Sequence, residues 1–467
     1  MLDQTFVPNN QSESALEEKE APYGISSETL EKIQEALRGS NPKKLSFLID
    51  KLHSADVADV IQRLSGEERR KFVYLIRKKI NPDVLAELDD SIRDLVLEQL
   101  GTKRVAEAIK ALETDDAVYL IEDLDIERQR AVLRSIPAEN RAILEEVLSY
   151  PEDSAGRLMQ REVVCVPAFW TVQDILDYIH ETKSLPDHFY DVFVVDPKHC
   201  PIGVVPLSLL LRCSPTQKVS HAMNLTLQAI LVTTDQEEVA KIFRHYGLVS
   251  APVVDEAGRI LGMVTVDDVV EVIEEEAEED LMHMAGVSES DFHSSVFKTS
   301  YHRMIWLVVS MINVMISVMV ISQFEASIKT ITALAFFMPV SAAMGGNSAL
   351  QVVTVIIRAL TTHELRDENT YRSIIKEIMV SLINGITFAF IFSVMAYAWS
   401  TDLGISLVVG GALICNMLWA GFAGAGLPIL LNRVGMDPAI SAGPLVTTIT
   451  DVLGYAIYLG MATAFLL

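Results

Sequence analysis

Cysteine is scarce and unpaired in this sequence: Cys165, Cys200, Cys213 and Cys415 include no C-x-x-C pair. That leaves no disulfide framework and suits a reducing compartment for the soluble part. His199, Cys200, Cys213 and His221 follow no spacing that zinc uses. Residues 1–22 lack the basic stretch and apolar core of a signal peptide, and residues 1–25 read as a disordered acidic tail. No nucleophile–base set or phosphate-cradling glycine loop appears, so an enzyme is not expected. Positive charge is also in deficit, with 38 basic residues against 63 acidic ones. Such a surface repels nucleic acid and attracts cations.

The last third has almost no charge of either sign. From Tyr301 onward eight acidic residues face seven basic ones, so all but one of the 25 net negative charges fall before it. Nothing charged lies between Arg303 and Glu325, Lys329 and Arg358, Glu377 and Asp402, or Asp402 and Arg433, and only Asp451 interrupts the run after Asp437. Each window exceeds the ~20 residues that cross a ~30 Å hydrocarbon core. The expected spans are 304–324, 332–356, 378–400, 405–431 and 440–466. Lys298, Arg303, Arg358, Arg366, Arg372, Lys376 and Arg433 flank one side, with only Lys329 opposite. The positive side faces the cytoplasm, so the soluble region should be cytoplasmic and Leu467 outside.

Polar residues inside these spans are the candidates for function. Asp451 lies eleven residues past Ile440, about 16 Å deep at 1.5 Å per residue. A carboxylate there costs roughly 2.5–3.5 kcal/mol unless it meets water, a cation or a partner. Thr447, Thr448 and Thr450 near it hint at a polar lining. Asn347, after Pro339 and Gly345-Gly346, and Asn416, within a glycine-rich fourth span, need partners at that depth. Asp437-Pro438 reads as an N-cap with proline in the first turn, a place from which Asp437 can also charge a pore mouth.

Two internal repeats organise the soluble part. Over residues 26–150, Ser54-Ala55-Asp56, Ile61 and Leu64 recur sixty positions on as Thr114-Asp115-Asp116, Ile121 and Leu124, the mark of stacked helices. Over 151–276, Phe193-Val194-Val195-Asp196 and Ile202-Gly203-Val204-Val205 recur as Pro252-Val253-Val254-Asp255 and Leu261-Gly262-Met263-Val264. Each half reads as a strand pair followed by a short helix, Leu207–Leu211 and Asp267–Ile273. The halves, 151–214 and 215–276, resemble tandem CBS domains, which bind adenine nucleotides in a shared cleft. The resemblance makes Thr265 and Asp268 nucleotide ligands; Pro206 and Leu209 at the matching places leave at most one such site.

Seven of the ten residues from Glu271 to Asp280 are carboxylates. On a helix Glu271, Glu274, Glu275 and Glu278 share a face, repelling by ~0.2–0.5 kcal/mol per pair unless neutralised. Hard oxygen ligands there suit Mg²⁺ or Ca²⁺, which makes these four and Asp280 a candidate sensor joined to the first span.

The order of parts is an all-α helical-repeat domain, an α+β CBS pair, an acidic connector over 277–300 and a five-helix transmembrane domain over 301–467. This multi-domain membrane protein resembles the MgtE family of magnesium channels. The resemblance rests on Pro339 through Gly345-Gly346-Asn347 to Gln351, Ile357-Arg358-Ala359-Leu360, Asp437-Pro438-Ala439 and Pro444-Leu445-Val446 through Asp451. Ala349 replaces a family glycine. The resemblance implies a homodimer in the plasma (bacterial inner) membrane, with a pore between subunits. It implies hydrated Mg²⁺ at paired Asp451, a connecting helix near 277–298 that plugs the pore when cytosolic Mg²⁺ is high, and modulation by ATP. A secondary carrier of Mg²⁺, Mn²⁺ or Co²⁺ is the alternative.

Overall fold

The computed structural model describes residues 24–39, 42–122, 124–183, 185–186, 188–285, 287, 296–362, 365, 367–436 and 438–467. Two compact units meet in sequence between Ile273 and Glu274. Of the expected features, Asp437, most of the tail and residues 288–295 of the connector lie outside the described residues, as does the side chain of Asp280.

The first unit begins with ten helices among the described residues, α1 (Ser27–Arg38) to α10 (Ala138–Val147). The sixty-residue repeat is real in three dimensions. Its copies start α3 (Ser54–Arg63) and α8 (Thr114–Glu122), followed by α4 (Gly66–Ile76) and α9 (Ile126–Ser135) at the same offset. Each helix buries one apolar face, as with Val57, Val60 and Ile61 on α3 and Ala117, Val118 and Ile121 on α8. Burying such faces against one another, more than propensity, holds helices this short.

After α11 (Ala155–Leu158) come two three-stranded sheets of one design. β1 (Cys165–Pro167) runs parallel to β2 (Asp191–Val195), which pairs antiparallel with β3 (Pro201–Pro206). β4 (Ile230–Leu231), β5 (Ser250–Val254) and β6 (Ile260–Thr265) repeat this, including a register shift at Val194/Val195 and Val253/Val254. The sequence showed only the two longer strands of each sheet, because three- and two-residue strands carry no readable alternation. Gly262 is obligatory: a Cβ there would run into the carbonyl of Gln160, whose backbone bridges Met263.

Helices α12 (Val172–Glu181), α13 (Leu207–Leu210), α14 (Val219–Ala222) and α15 (Gln236–Tyr246) flank the sheets in sequence. The expected short helix 267–273 is instead the start of α16 (Val266–Ala285), unbroken through the expected boundary at 276. Its Glu, Ala and Val residues contain no breaker, so nothing stops it there.

Among the described residues of the second unit five helices are long and apolar enough to cross a membrane: α17 (Val296–Ser322), α19 (Ala333–Thr361), α20 (Asp367–Ser400), α21 (Leu403–Val434) and α22 (Pro438–Leu466). The short α18 (Glu325–Thr330) fills the first loop, which the sequence reading left unstructured. Helix α21 packs against α19, α20 and α22, whereas α17 packs chiefly on α22. Asp402, the charge between two spans, caps α21 by accepting from the Gly404 amide at 2.7 Å. Pro339 and Pro428 sit inside α19 and α21 without ending either helix, since packed neighbours can accommodate the freed carbonyls.

Candidate functional site

The N-terminal turn of α8 gathers more acid than its sequence advertised. Thr114 is buried and donates its hydroxyl to Glu162 at 2.9 Å. Asp115, next along, hydrogen-bonds Gln160, while its Oδ1 is sealed from solvent with no hydrogen-bond partner. Burial pushes the Asp115 carboxyl well above the usual range, and Asp268 and Asp116 push it further. Asp116 is pushed up to about 7, by burial first and then by Glu113 and Glu271. Asp268 is raised too, mainly by burial, against the opposing hydrogen bond from Thr265. Carboxylates from α8 and α16 therefore repel one another across a poorly solvated space, the condition in which a cation is held.

Sequence reasoning put the sensor on α16 alone. The structure brings Glu271 into the field of Asp116, and leaves Glu274, Glu275 and Glu278 exposed further along the helix. Asp115 and Asp116, which entered the sequence reading only as part of the sixty-residue repeat, lie in the same electrostatic neighbourhood as Asp268 and Glu271. Among the described residues no three carboxylates, histidines or cysteines form a ready-made cage.

Thr265 ends β6, and its hydroxyl donates to Asp268 Oδ2 at 2.7 Å. The pair works as an N-terminal cap for α16, since Asp268 also accepts from the Thr265 amide at 3.4 Å. The two expected nucleotide ligands are thus together, and one of them is also part of the acidic cluster.

In the second unit Asp451 is half-buried on α22, and a Cβ on Gly346 of α19 would stand 3.8 Å from its Oδ1. Asn416 is fully buried and donates its amide to the Ser341 carbonyl at 2.6 Å. Gly345 leaves no room for a Cβ beside Asn416, and a Cβ on Gly454, one turn past Asp451, would lie 2.9 Å from its Nδ2. Helices α19, α21 and α22 thus converge around this one amide. Asn347 is exposed on the single chain. The hydroxyls of Thr447 and Thr450 bond carbonyls of their own helix, those of Gly443 and Val446, both at 2.9 Å.

Comparison with known proteins covers nearly all of these parts. Residues 338–461 match the MgtE family model for a divalent cation transporter, 52–153 the MgtE intracellular N domain, and 155–216 and 219–275 the CBS domain. The magnesium transporter MgtE of Thermus thermophilus is 34% identical over 445 residues, covering 92% of this chain and 97% of that one. The magnesium transporter MgtE of Bacillus subtilis is 29% identical over 431 residues, 92% and 96% of the two chains. A solved cytosolic domain of the Mg²⁺ channel MgtE in complex with ATP is 31% identical, with a TM-score of 0.49 over 52% of this chain and 99% of that one.

Proposed function

Because this chain belongs to the MgtE family, and so is a membrane-spanning Mg²⁺ transporter and no enzyme, we propose that it works as a Mg²⁺ channel closed by cytosolic Mg²⁺. The observation that carries this reading is the mutual repulsion of Asp115, Asp116 and Asp268 in one poorly solvated cluster, with the exposed Glu271 adding its charge beside them. When Mg²⁺ is plentiful inside the cell it neutralises these faces and favours the compact arrangement. When Mg²⁺ falls the faces repel and the soluble part loosens. The ion thereby shifts a population between two states by binding one of them better.

Asp451 is the carboxylate that meets the permeating ion, in a pore formed with a second copy of the chain. Asn416 holds the three helices that position it, and Asn347 and Asp437 contribute polar groups along the path. The exposed Glu274, Glu275 and Glu278, with Asp280, extend the sensor toward the first span, where the connector of residues 277–298 blocks the pore at high Mg²⁺. The soluble unit lies in the cytoplasm and Leu467 outside. ATP bound at Thr265 and Asp268 biases the same equilibrium, because Asp268 belongs to both sites.

Mg²⁺ flux into liposomes tests the proposal with wild type, Asp451→Ala, and Glu274, Glu275 and Glu278 together changed to Ala. Asp451→Ala abolishes flux, and the triple variant stays open when Mg²⁺ is high on the cytoplasmic face. Undiminished flux through Asp451→Ala overturns the pore assignment. Flux that requires a gradient of a second ion would identify a carrier instead.

A further inference from the structure

The acidic soluble region contains a long segment of opposite sign. Residues 38–79 hold eleven basic residues and five acidic ones. They build a cavity of about 480 Å³ between α2 (Pro42–Ile49) and the end of α4, within the ~300–1,000 Å³ of small-ligand sites. Lys43, Lys78 and Lys79 line it with the Ser46 hydroxyl, and Ile49, Leu75 and Ile76 supply apolar wall.

Much of this positive charge is not cancelled. Lys43 and Lys78 are exposed and have no carboxylate within ion-pair distance among the described residues. Lys51 is held over the Phe47 ring at 4.3 Å, and Arg77 over the Tyr74 ring at 4.0 Å, so aromatic faces anchor them without neutralising them. Lys79 is oriented by Ser46 Oγ at 2.6 Å, and its partner Asp50, at 3.5 Å, is the one carboxylate in the lining. Lys51 and Arg77 stand outside the lining, and the cations that line it, the unpaired Lys43 and Lys78 with Lys79, match, with the Ser46 hydroxyl and the apolar wall, a phosphate group on a small organic body.

We propose that this cavity binds a phosphate-bearing anion, at a site separate from both the acidic cluster and the Thr265–Asp268 pair. The source is either a soluble phosphate compound or the phosphate of a lipid headgroup, and the ligand chemistry is the same for both.

The test uses full-length protein in phosphatidylcholine nanodiscs, with Mg²⁺ removed by EDTA and amide hydrogen exchange read over residues 42–49 and 75–79. One arm titrates inorganic pyrophosphate; the other replaces part of the lipid with phosphatidic acid. Expected is saturable protection in at least one arm, weakened about tenfold by K43E/K78E, as two exposed ion pairs are worth. The milder K43Q/K78Q variant falls between, guarding against misfolding of the charge reversal. Protection by pyrophosphate alone identifies a soluble ligand, and by phosphatidic acid alone a headgroup. Protection in neither arm, or protection indifferent to both double variants, overturns the proposal.

Discussion

Ser250 donates its hydroxyl to Asp191 at 2.7 Å, and the two residues are each other's counterparts in the paired sheets. Asp191 lies opposite Pro206 at the end of the first hairpin, and Ser250 lies opposite Thr265 at the end of the second. The bond therefore joins equivalent positions of the two halves. It also fixes Pro206 as the structural equivalent of Thr265. Having neither a hydroxyl nor an amide N–H to donate, the first half cannot reproduce the Thr265–Asp268 pair.

The same symmetry exposes a strained residue. His199 adopts φ 67°, and its counterpart in the other hairpin is Gly258 at φ 78°. A side chain is disfavoured in that conformation and glycine is not. His199→Gly is expected to leave stability unchanged or raise it by up to about 1 kcal/mol, whereas Gly258→Ala should cost about 1 kcal/mol or more. Amide exchange in β2–β3 and β5–β6 would read both effects.

Asn416→Ala removes the bond to Ser341 and empties the space that Gly345 and Gly454 leave for the amide. Interhelical hydrogen bonds in membranes contribute about 0.6–2 kcal/mol, and the lost packing adds to that. The variant should unfold earlier in denaturing detergent and conduct less Mg²⁺. Full flux with unchanged stability would contradict the positioning role.

Asp115→Asn and Asp116→Asn relieve repulsion in the acidic cluster without Mg²⁺. Each should raise the melting temperature of the Mg²⁺-free protein and shrink the further rise produced by millimolar Mg²⁺. Calorimetry with and without EDTA measures both. An undiminished Mg²⁺ response in the double variant would place the sensing ion elsewhere.

The cluster should also respond to pH in a defined direction. Asp116 titrates near 7 when folded, above its usual value, so the folded state holds that proton more tightly than the unfolded chain. Its contribution to stability is complete below about pH 4 and is lost as pH rises through 7. In EDTA the melting temperature should therefore fall from pH 5 to pH 8, less steeply in Asp116→Asn. Millimolar Mg²⁺ should flatten the upper part of that slope. Equal slopes for wild type and Asp116→Asn would refute the assignment.

The apolar spans, the repeats and the place of Asp451 along its helix were legible because each rests on a long signal: a charge-free window, a sixty-residue offset, a position along a helix. The acidic cluster was only half legible. Glu271 stood out within a run, but Asp115 and Asp116 counted only as members of a repeat, since nothing local marks their approach to Asp268. Likewise Asn416 read as an amide in need of a partner at membrane depth, but that the partner is the Ser341 carbonyl, with Gly345 and Gly454 closing in on it, only the structure shows. Pairings between distant segments leave no mark on local composition.

Helix α17 has its main neighbour in α22, the helix that bears Asp451, and most of its remaining apolar surface is uncovered on a single chain. Any tug arriving along the backbone from the soluble unit enters the membrane through α17 first. The load path then runs straight to the Asp451 helix and bypasses the tightly packed α19–α21 frame. Mechanically, the first span is a lever on the helix that bears Asp451, and stiffening its grip on α22 should alter Mg²⁺ flux before it alters stability.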